Sequence, residues 1–378
     1  TQILFPAADG RICLADTTPK AEAPRTTSPM ATSPTATSPV ATDVAIIGAG
    51  PVGLFAVFEC GMLKLRCQVI DTLEMIGGQC AALYPEKPIY DIPGYPRILA
   101  QDLVDRLAEQ AEPFKPVYHL GQQVTGLERL KEGGWRLTTS KGTVIDATAA
   151  IIAAGCGAFG PNRPPLAGIE DYEGHSVHYL VQRRETFRGQ RIVIAGGGDS
   201  AVDWAVSLAE LAEKIYVVHR RAKFRAAPES VDQLHRLADS GKIELVIPYQ
   251  LAGLEGDGRR LSGVVVADME GHTRTLPADC LLPFFGLSMN LGPIADWGLD
   301  LEHHHIAVNP ATSETSAAGI FAIGDIAHYQ GKLKLILAGF SEAALAAHAI
   351  RPLVYPGEAL HWEYSTTQGV PGDTTAAG

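Results

Sequence analysis

Two glycine-rich turns, each set between a short β-branched strand and a helical stretch, constrain this chain more than anything else in it. The first is Gly48-Ala49-Gly50-Pro51-Val52-Gly53, directly after the strand VAII. The second is Gly196-Gly197-Gly198-Asp199-Ser200-Ala201, after RIVIA. The first glycine of such a turn permits a tight reversal, and the second lets a pyrophosphate approach the backbone. A small third residue lets the helix pack closely on the strand. The phosphates then meet amides at the helix N-terminus. Pro51 has no N–H, so the Val52 amide is the expected donor in the first turn. Strands alternate with helices from Asp43 onward, which predicts an α/β fold. It should contain two Rossmann-like dinucleotide-binding domains with parallel sheets covered on both faces.

The end of the following strand sorts the two turns. CQVID ends in Asp71, 18 residues after Gly53. A carboxylate there accepts from ribose hydroxyls and repels a 2′-phosphate, so this site suits FAD or NAD. IYVVHRR ends in Arg220 and Arg221, with Arg225 one turn further on. Guanidinium forks suit a phosphate dianion, which makes the second site one for NADP(H) and leaves FAD to the first. The alternative for these arginines is a solvated face. His219 either serves the adenine or the phosphate, or is a satisfied strand-end histidine; the sequence leaves both open. Late in the chain GIFAIGDI ends an apolar strand in Asp325, whose carboxylate can meet a polyol chain. In GGQCAALYPEKPIYDIPGYP, residues 77–96, Gln79 can hydrogen-bond a flavin or its phosphates and Tyr84 can stack on its ring. An irregular loop with a packed tyrosine reads equally well.

Composition narrows the classes. A net charge of −11 argues against nucleic acid as a partner, because phosphate backbones need a dense basic footprint. No apolar run is long enough to span a bilayer, and no basic-then-apolar secretory signal is present. The six cysteines include no C-x-x-C pair, so neither a zinc site nor a local dithiol is expected, and buried thiols in a reducing cytoplasm are. Residues 1–42 stand apart. TSPMATSPTATSPVA, residues 27–41, repeats every five residues with a proline each time and no large apolar side chain except one methionine. Such a segment cannot build a core, and residues 1–42 are read as a disordered extension. A short hairpin around AADG and a transit peptide are the sharper readings of it.

These motifs together resemble the thioredoxin-reductase superfamily: GGGDSAVDWA, HRRAKFRA, GGQCAALYPEKPIYDIPG and GIFAIGD. The thioredoxin reductases carry a C-x-x-C dithiol upstream of the second glycine turn. Here GHSVHYLVQRRETFRG, residues 174–189, has no cysteine. The ALYPEKPIYD loop and the tail HWEYSTTQG are similar to the ferredoxin–NADP⁺ reductases of the thioredoxin-reductase-like type. The resemblance runs from residue 43 to about 370. It implies FAD contacts at Asp71, Gln79, Tyr84, Val124 (through its backbone), Phe159, Asp325 and Thr366. It also implies a homodimer in which Tyr364 crosses to stack on the partner's flavin, with Ser365 and Thr366 at the flavin's polar edge. The implied FAD domain is 43–158 plus 284–378, with an NADP domain inserted at 159–283.

The implied reaction is hydride transfer between NADP(H) and FAD, with single-electron exchange with ferredoxin. Tyr84 and Tyr364 would stack on the flavin, and no acid–base residue is assigned. Ferredoxins are acidic, so an acidic reductase needs a local basic patch, expected among Arg183, Arg184, Arg188 and Arg191. Two alternatives stand beside this reading. One is an NADPH-dependent flavin reductase acting on flavodoxin, a quinone or a small disulfide. The other is a non-catalytic flavin-binding regulator.

Overall fold

The computed structural model describes residues 38–358, without the side chains of residues 158–161 and 287–289. Strand β1 (Val40–Ile47) is buried on both faces from Thr42 onward and pairs with β2 (Cys67–Ile70) on one side and β6 (Val144–Ile152) on the other, all in parallel. Helix α1 (Pro51–Met62) connects β1 to β2. Alternation with period two sorts the strands' side chains. Val44, Ile46, Ala149 and Ile151 face α1 and the C-terminal helix α6 (Ile336–Val354). Ala45, Ile47, Ala150 and Ile152 face the opposite core. Strand β3 (Val117–His119) extends the parallel run beyond β2 and follows helix α3 (Ala100–Ala111).

Two details depart from the sequence reading. Strand β1 begins at Val40, three residues before Asp43, because Val40, Ala41 and Thr42 pair with Ile145, Asp146 and Ala147. The repeat-like composition of that stretch hid a strand whose backbone groups are satisfied by β6. The first sheet is also mixed rather than wholly parallel. Strands β4 (Val124–Arg129) and β5 (Trp135–Thr139) continue it past β6 in antiparallel fashion. Short turns join these strands, and such turns allow no other pairing. Strand β6 is long enough to fork: residues 144–147 pair with β5, and residues 150–152 pair in parallel with the late strand β16 (Ile320–Ala322).

The second glycine turn opens a separate, all-parallel sheet in the order β10-β9-β8-β14. Its strands are β8 (Arg191–Ala195), β9 (Lys214–Val218), β10 (Ile243–Val246) and β14 (Cys280–Pro283). Helices α4 (Asp199–Leu208) and α5 (Pro228–Asp239) pack against it, with Ile192, Ile194, Leu208 and Leu234 in their shared core. An antiparallel meander of β11 (Gln250–Gly256), β12 (Leu261–Ala267) and β13 (Thr273–Pro277) covers the other face and had no counterpart in the sequence reading. The chain enters this half through β7 (Ala158–Pro161) and leaves it through β15 (Leu287–Asn290). These two segments pair antiparallel, Phe159 opposite Met289. The architecture is therefore a two-domain α/β fold in which the second dinucleotide-binding unit is an insertion in the first.

Candidate functional site

The first glycine turn is shaped by contacts only glycine allows. Gly48 has φ +114°, and a Cβ there would sit 2.3 Å from the Ala153 carbonyl oxygen. A Cβ on Gly53 would sit 2.0 Å from the Gly48 carbonyl oxygen. Gly50 differs: its Cβ would meet only the Gly78 Cα, at 3.9 Å. The protein leaves that volume open above the N-terminus of α1, where no side chain caps the helix and the first turn holds no acid. An open cradle over an uncapped helix end fits a pyrophosphate. Val52 sits in this first turn, with its side chain set against Gly324 and Gly339.

The turn stands at the head of a cleft of about 1190 Å³, its open mouth included. The cleft brings together Gly48, Gly50, Val52, Asp71, Gln79, Tyr84, Val124 and Asp325 from separate stretches of chain. Asp71, at the end of β2, accepts the Ala49 N–H at 2.6 Å and the Leu73 N–H at 2.8 Å, which holds the glycine turn against the strand end. Burial pushes its carboxyl up, and those backbone donors act against the rise. Gln79 lies in α2 (Gly78–Leu83), against Gly155 and Cys156. Tyr84 closes α2; the Cys80 thiol approaches its hydroxyl at 4.0 Å, and burial raises the Tyr84 hydroxyl far above its ordinary value. Burial likewise pushes the Cys80 thiol up to about 11, which keeps it protonated. Asp325 is half-exposed at the start of the short turn after β16. The Phe159 side chain and Tyr364, Ser365 and Thr366 lie outside the described residues.

The second turn is built alike. Gly196 has φ +152°, and a Cβ there would meet the Phe284 carbonyl oxygen at 2.6 Å. Gly198 caps α4 without a side-chain hydrogen bond, and Asp199 and Ser200 are exposed in its first turn. The Asp199 carboxylate accepts the Ala227 N–H at 3.0 Å, tying the helix start to the next loop. Arg220, Arg221 and Arg225 are exposed, and none makes an ion pair among the described residues. They converge on His219, whose imidazole is held below its ordinary value by burial and by these three charges. The His219 ring covers Gly197, stacks on Phe224 at 5.3 Å and 22°, and points Nε2 at the Lys223 carbonyl. In this structure it packs the turn, as a satisfied strand-end histidine would.

Three of the four arginines expected to make a basic patch have side-chain partners within the chain. Arg188 forms a fork with Glu185, and Arg191 forms one with Asp279. Arg184 donates its guanidinium to the Ser207 carbonyl. Only Arg183 of the four is exposed without an ion pair among the described residues; the charges of Arg184, Arg188 and Arg191 are each partly offset by a neighbouring carboxylate.

Sequence reasoning also passed over a buried charge pair behind Asp325. Glu342, on α6, accepts the Gly324 N–H at 2.7 Å and the Tyr329 hydroxyl at 2.8 Å, and pairs with Lys332. A signal was available: Glu342 is the lone acid in the apolar helix ILAGFSEAALAAHAI, three and four residues from Gly339 and Ala346 on its buried face. Among the described residues no cluster of His, Cys, Asp and Glu could hold a metal ion, and no helix is long and apolar enough to cross a membrane. The five described cysteines are free thiols.

Comparisons with known proteins agree with this geometry. The family model of the pyridine nucleotide-disulphide oxidoreductases matches residues 42–349. The ferredoxin–NADP reductase of Paramagnetospirillum magneticum is 64% identical over 87% of this chain and 98% of its own length. That of Rhodospirillum rubrum is 62% identical over 87% of this chain and 96% of its own. Among solved structures, the Lactococcus lactis thioredoxin reductase in its FR conformation superposes with a TM-score of 0.72 at 26% identity, covering 83% of this chain and 99% of that one. The thioredoxin reductase of T. acidophilum shares the fold at TM-score 0.73 and 22% identity, over 82% of this chain and 98% of its own.

Proposed function

The chain belongs to the pyridine nucleotide-disulphide oxidoreductase family, and we propose that within it the chain works as an FAD-dependent ferredoxin–NADP⁺ reductase. One observation carries the reading. A single chain holds two uncapped helix N-termini under glycine turns, one beside a carboxylate, Asp71, and the other beside three cations without ion pairs, Arg220, Arg221 and Arg225. The relatives at 62–64% identity bear that name and match nearly their whole length.

FAD fits the first cleft. Gly50 leaves room for its pyrophosphate, with the Val52 amide at the helix end. Asp71 would face the adenosine ribose, the Val124 backbone the adenine, and Asp325 the ribityl chain. Gln79 and Tyr84 would meet the flavin. When bound, the flavin divides a two-electron hydride into single electrons. The chain binds, sorts and positions. Arg220, Arg221 and Arg225 favour a 2′-phosphate, and the Asp71 carboxylate disfavours one at the other site. Gly196, Gly198, Asp199 and Ser200 form the receiving end of α4 for the nicotinamide nucleotide. No acid–base pair is needed, because hydride moves directly once the reacting atoms lie about 3–3.5 Å apart. The finer reading adds a cytoplasmic homodimer whose tails, through Tyr364, Ser365 and Thr366, cover each other's flavins.

The test is stepwise and anaerobic. NADPH should bleach the flavin absorbance of the purified holoenzyme, NADH should do so poorly, and oxidised ferredoxin added next should restore the colour. Bleaching with no response to ferredoxin would point instead to a flavin reductase with a different acceptor.

A further inference from the structure

The two stretches richest in family-like sequence, residues 77–96 and 196–205, meet in the fold, and a charge pair joins them. Lys87 Nζ lies 2.9 Å from Asp203 Oδ2, with the two side chains only 19% and 26% exposed. Asp203 stands on α4, one turn past Asp199 at the end assigned to the nucleotide phosphates. Lys87 stands three residues past Tyr84, its ammonium 5.7 Å from that ring's centroid. The same loop makes a second tie. The Glu86 carboxylate accepts the Arg184 backbone N–H at 2.7 Å, and the Arg184 guanidinium reaches the Ser207 carbonyl on α4. Tyr84 itself packs against the cores of both halves. Covalent crossings through β7 and β15 leave the halves room to turn about that ribbon, so side-chain ties beyond it have to set the angle.

We propose that Lys87 and Asp203 form an interdomain clip, backed by Glu86 on the Arg184 amide, that holds the nucleotide-binding helix α4 at the distance from Tyr84 which hydride transfer requires. Both are positioning residues, and the proposal rests on the assignment of the two dinucleotides above. The pair is largely withdrawn from water, so removing one partner strands the other charge and opens the contact instead of leaving a neutral substitute. Neither residue is placed on the cofactors, so the loss should appear in the rate of transfer and not in binding.

Four variants of the holoenzyme test this: Lys87→Met, Asp203→Asn, the two together, and the charge exchange Lys87→Asp with Asp203→Lys. Flavin content and thermal midpoint establish that each is folded. Rapid mixing with NADPH gives the limiting rate of flavin bleaching, titration gives the NADPH dissociation constant, and hydrogen–deuterium exchange of the nucleotide-free holoenzyme reads the peptide containing Arg184. Each single variant should bleach roughly 10- to 100-fold more slowly, the range expected for a displacement near 1 Å. The double variant should be no slower than the singles, the charge exchange should recover part of the rate, and NADPH affinity should not change. Exchange at Arg184 should quicken in the single variants. Wild-type bleaching rates in the single variants overturn the clip, as does a double loss equal to the product of the single losses or a loss confined to NADPH affinity. A wild-type chain that NADPH does not bleach counts against the functional reading alone; the clip is then decided by the Arg184 peptide, and unchanged exchange in the variants overturns it.

Discussion

Replacing Glu342 tests whether the buried pair behind the FAD cleft serves folding, cofactor binding or both. Its carboxylate and the Lys332 ammonium are 3% and 4% exposed, and the Tyr329 hydroxyl and Gly324 N–H complete its bonds. Glu342→Leu leaves an uncompensated buried ammonium, which costs about 3–5 kcal/mol. The double variant Glu342→Leu, Lys332→Met removes both charges, and apolar replacement of a buried pair is often neutral or stabilising by about 1–4 kcal/mol. Stability should therefore fall in the single variant and largely recover in the double. FAD affinity should behave differently. Both variants strip the acceptor from the Gly324 N–H, and so loosen the turn that presents Asp325. Loss of that bond is worth about 1–3 kcal/mol, or at most roughly fivefold to 150-fold in FAD dissociation constant. Urea unfolding of the apoprotein reads the first quantity and flavin fluorescence titration the second. A double variant as unstable as the single, or one that binds FAD as the wild type does, would refute the reasoning.

Three further predictions follow from particular residues. Arg220→Gln with Arg221→Gln should weaken NADPH binding by about 1.5–3 kcal/mol for each charge-assisted hydrogen bond to the 2′-phosphate that is removed, while sparing NADH; equal weakening of both nucleotides would remove the 2′-phosphate assignment. The Arg191 fork holds the Asp279 carboxyl below the usual carboxylate range. Its contribution to stability is thus complete above the ordinary aspartate value and lost as pH falls through the lowered one. Asp279→Asn should then destabilise the chain at neutral pH and match the wild type in strong acid, as urea midpoints across pH would register. Truncation after Leu360 should leave FAD less tightly held, since a tail lying on the ring gains about 0.5–1.5 kcal/mol from stacking; FAD retention and spectra equal to the full chain would show that Tyr364 does not touch the flavin.

The glycine turns made the fold legible, because Gly48, Gly53 and Gly196 stand where a Cβ would strike a carbonyl oxygen. The two strand ends were legible as positions too, since Asp71 and His219 each follow the strand beside their glycine turn, with Arg220 and Arg221 directly after His219. Less was readable wherever the partner is distant in sequence. Val40 to Thr42 look like linker until β6, about a hundred residues on, pairs with them. The fates of Arg184, Arg188 and Arg191 depend on Ser207, Glu185 and Asp279, and only Glu185 is near enough for charge patterning to have flagged it. The meander from Gln250 to Pro277 carries glycines and charges within its strands, which dilute the period-two signal. Nothing local marks Lys87 and Asp203 as partners; they lie in separate motifs brought together by the inserted domain.

Steady-state turnover tests the central claim most directly. The purified chain is given NADPH and cytochrome c, and the rate of cytochrome reduction is measured as oxidised ferredoxin is added. The account predicts a slow rate without ferredoxin that rises and saturates with its concentration, with NADH a poor substitute for NADPH throughout. A rate that is the same with and without ferredoxin would contradict it.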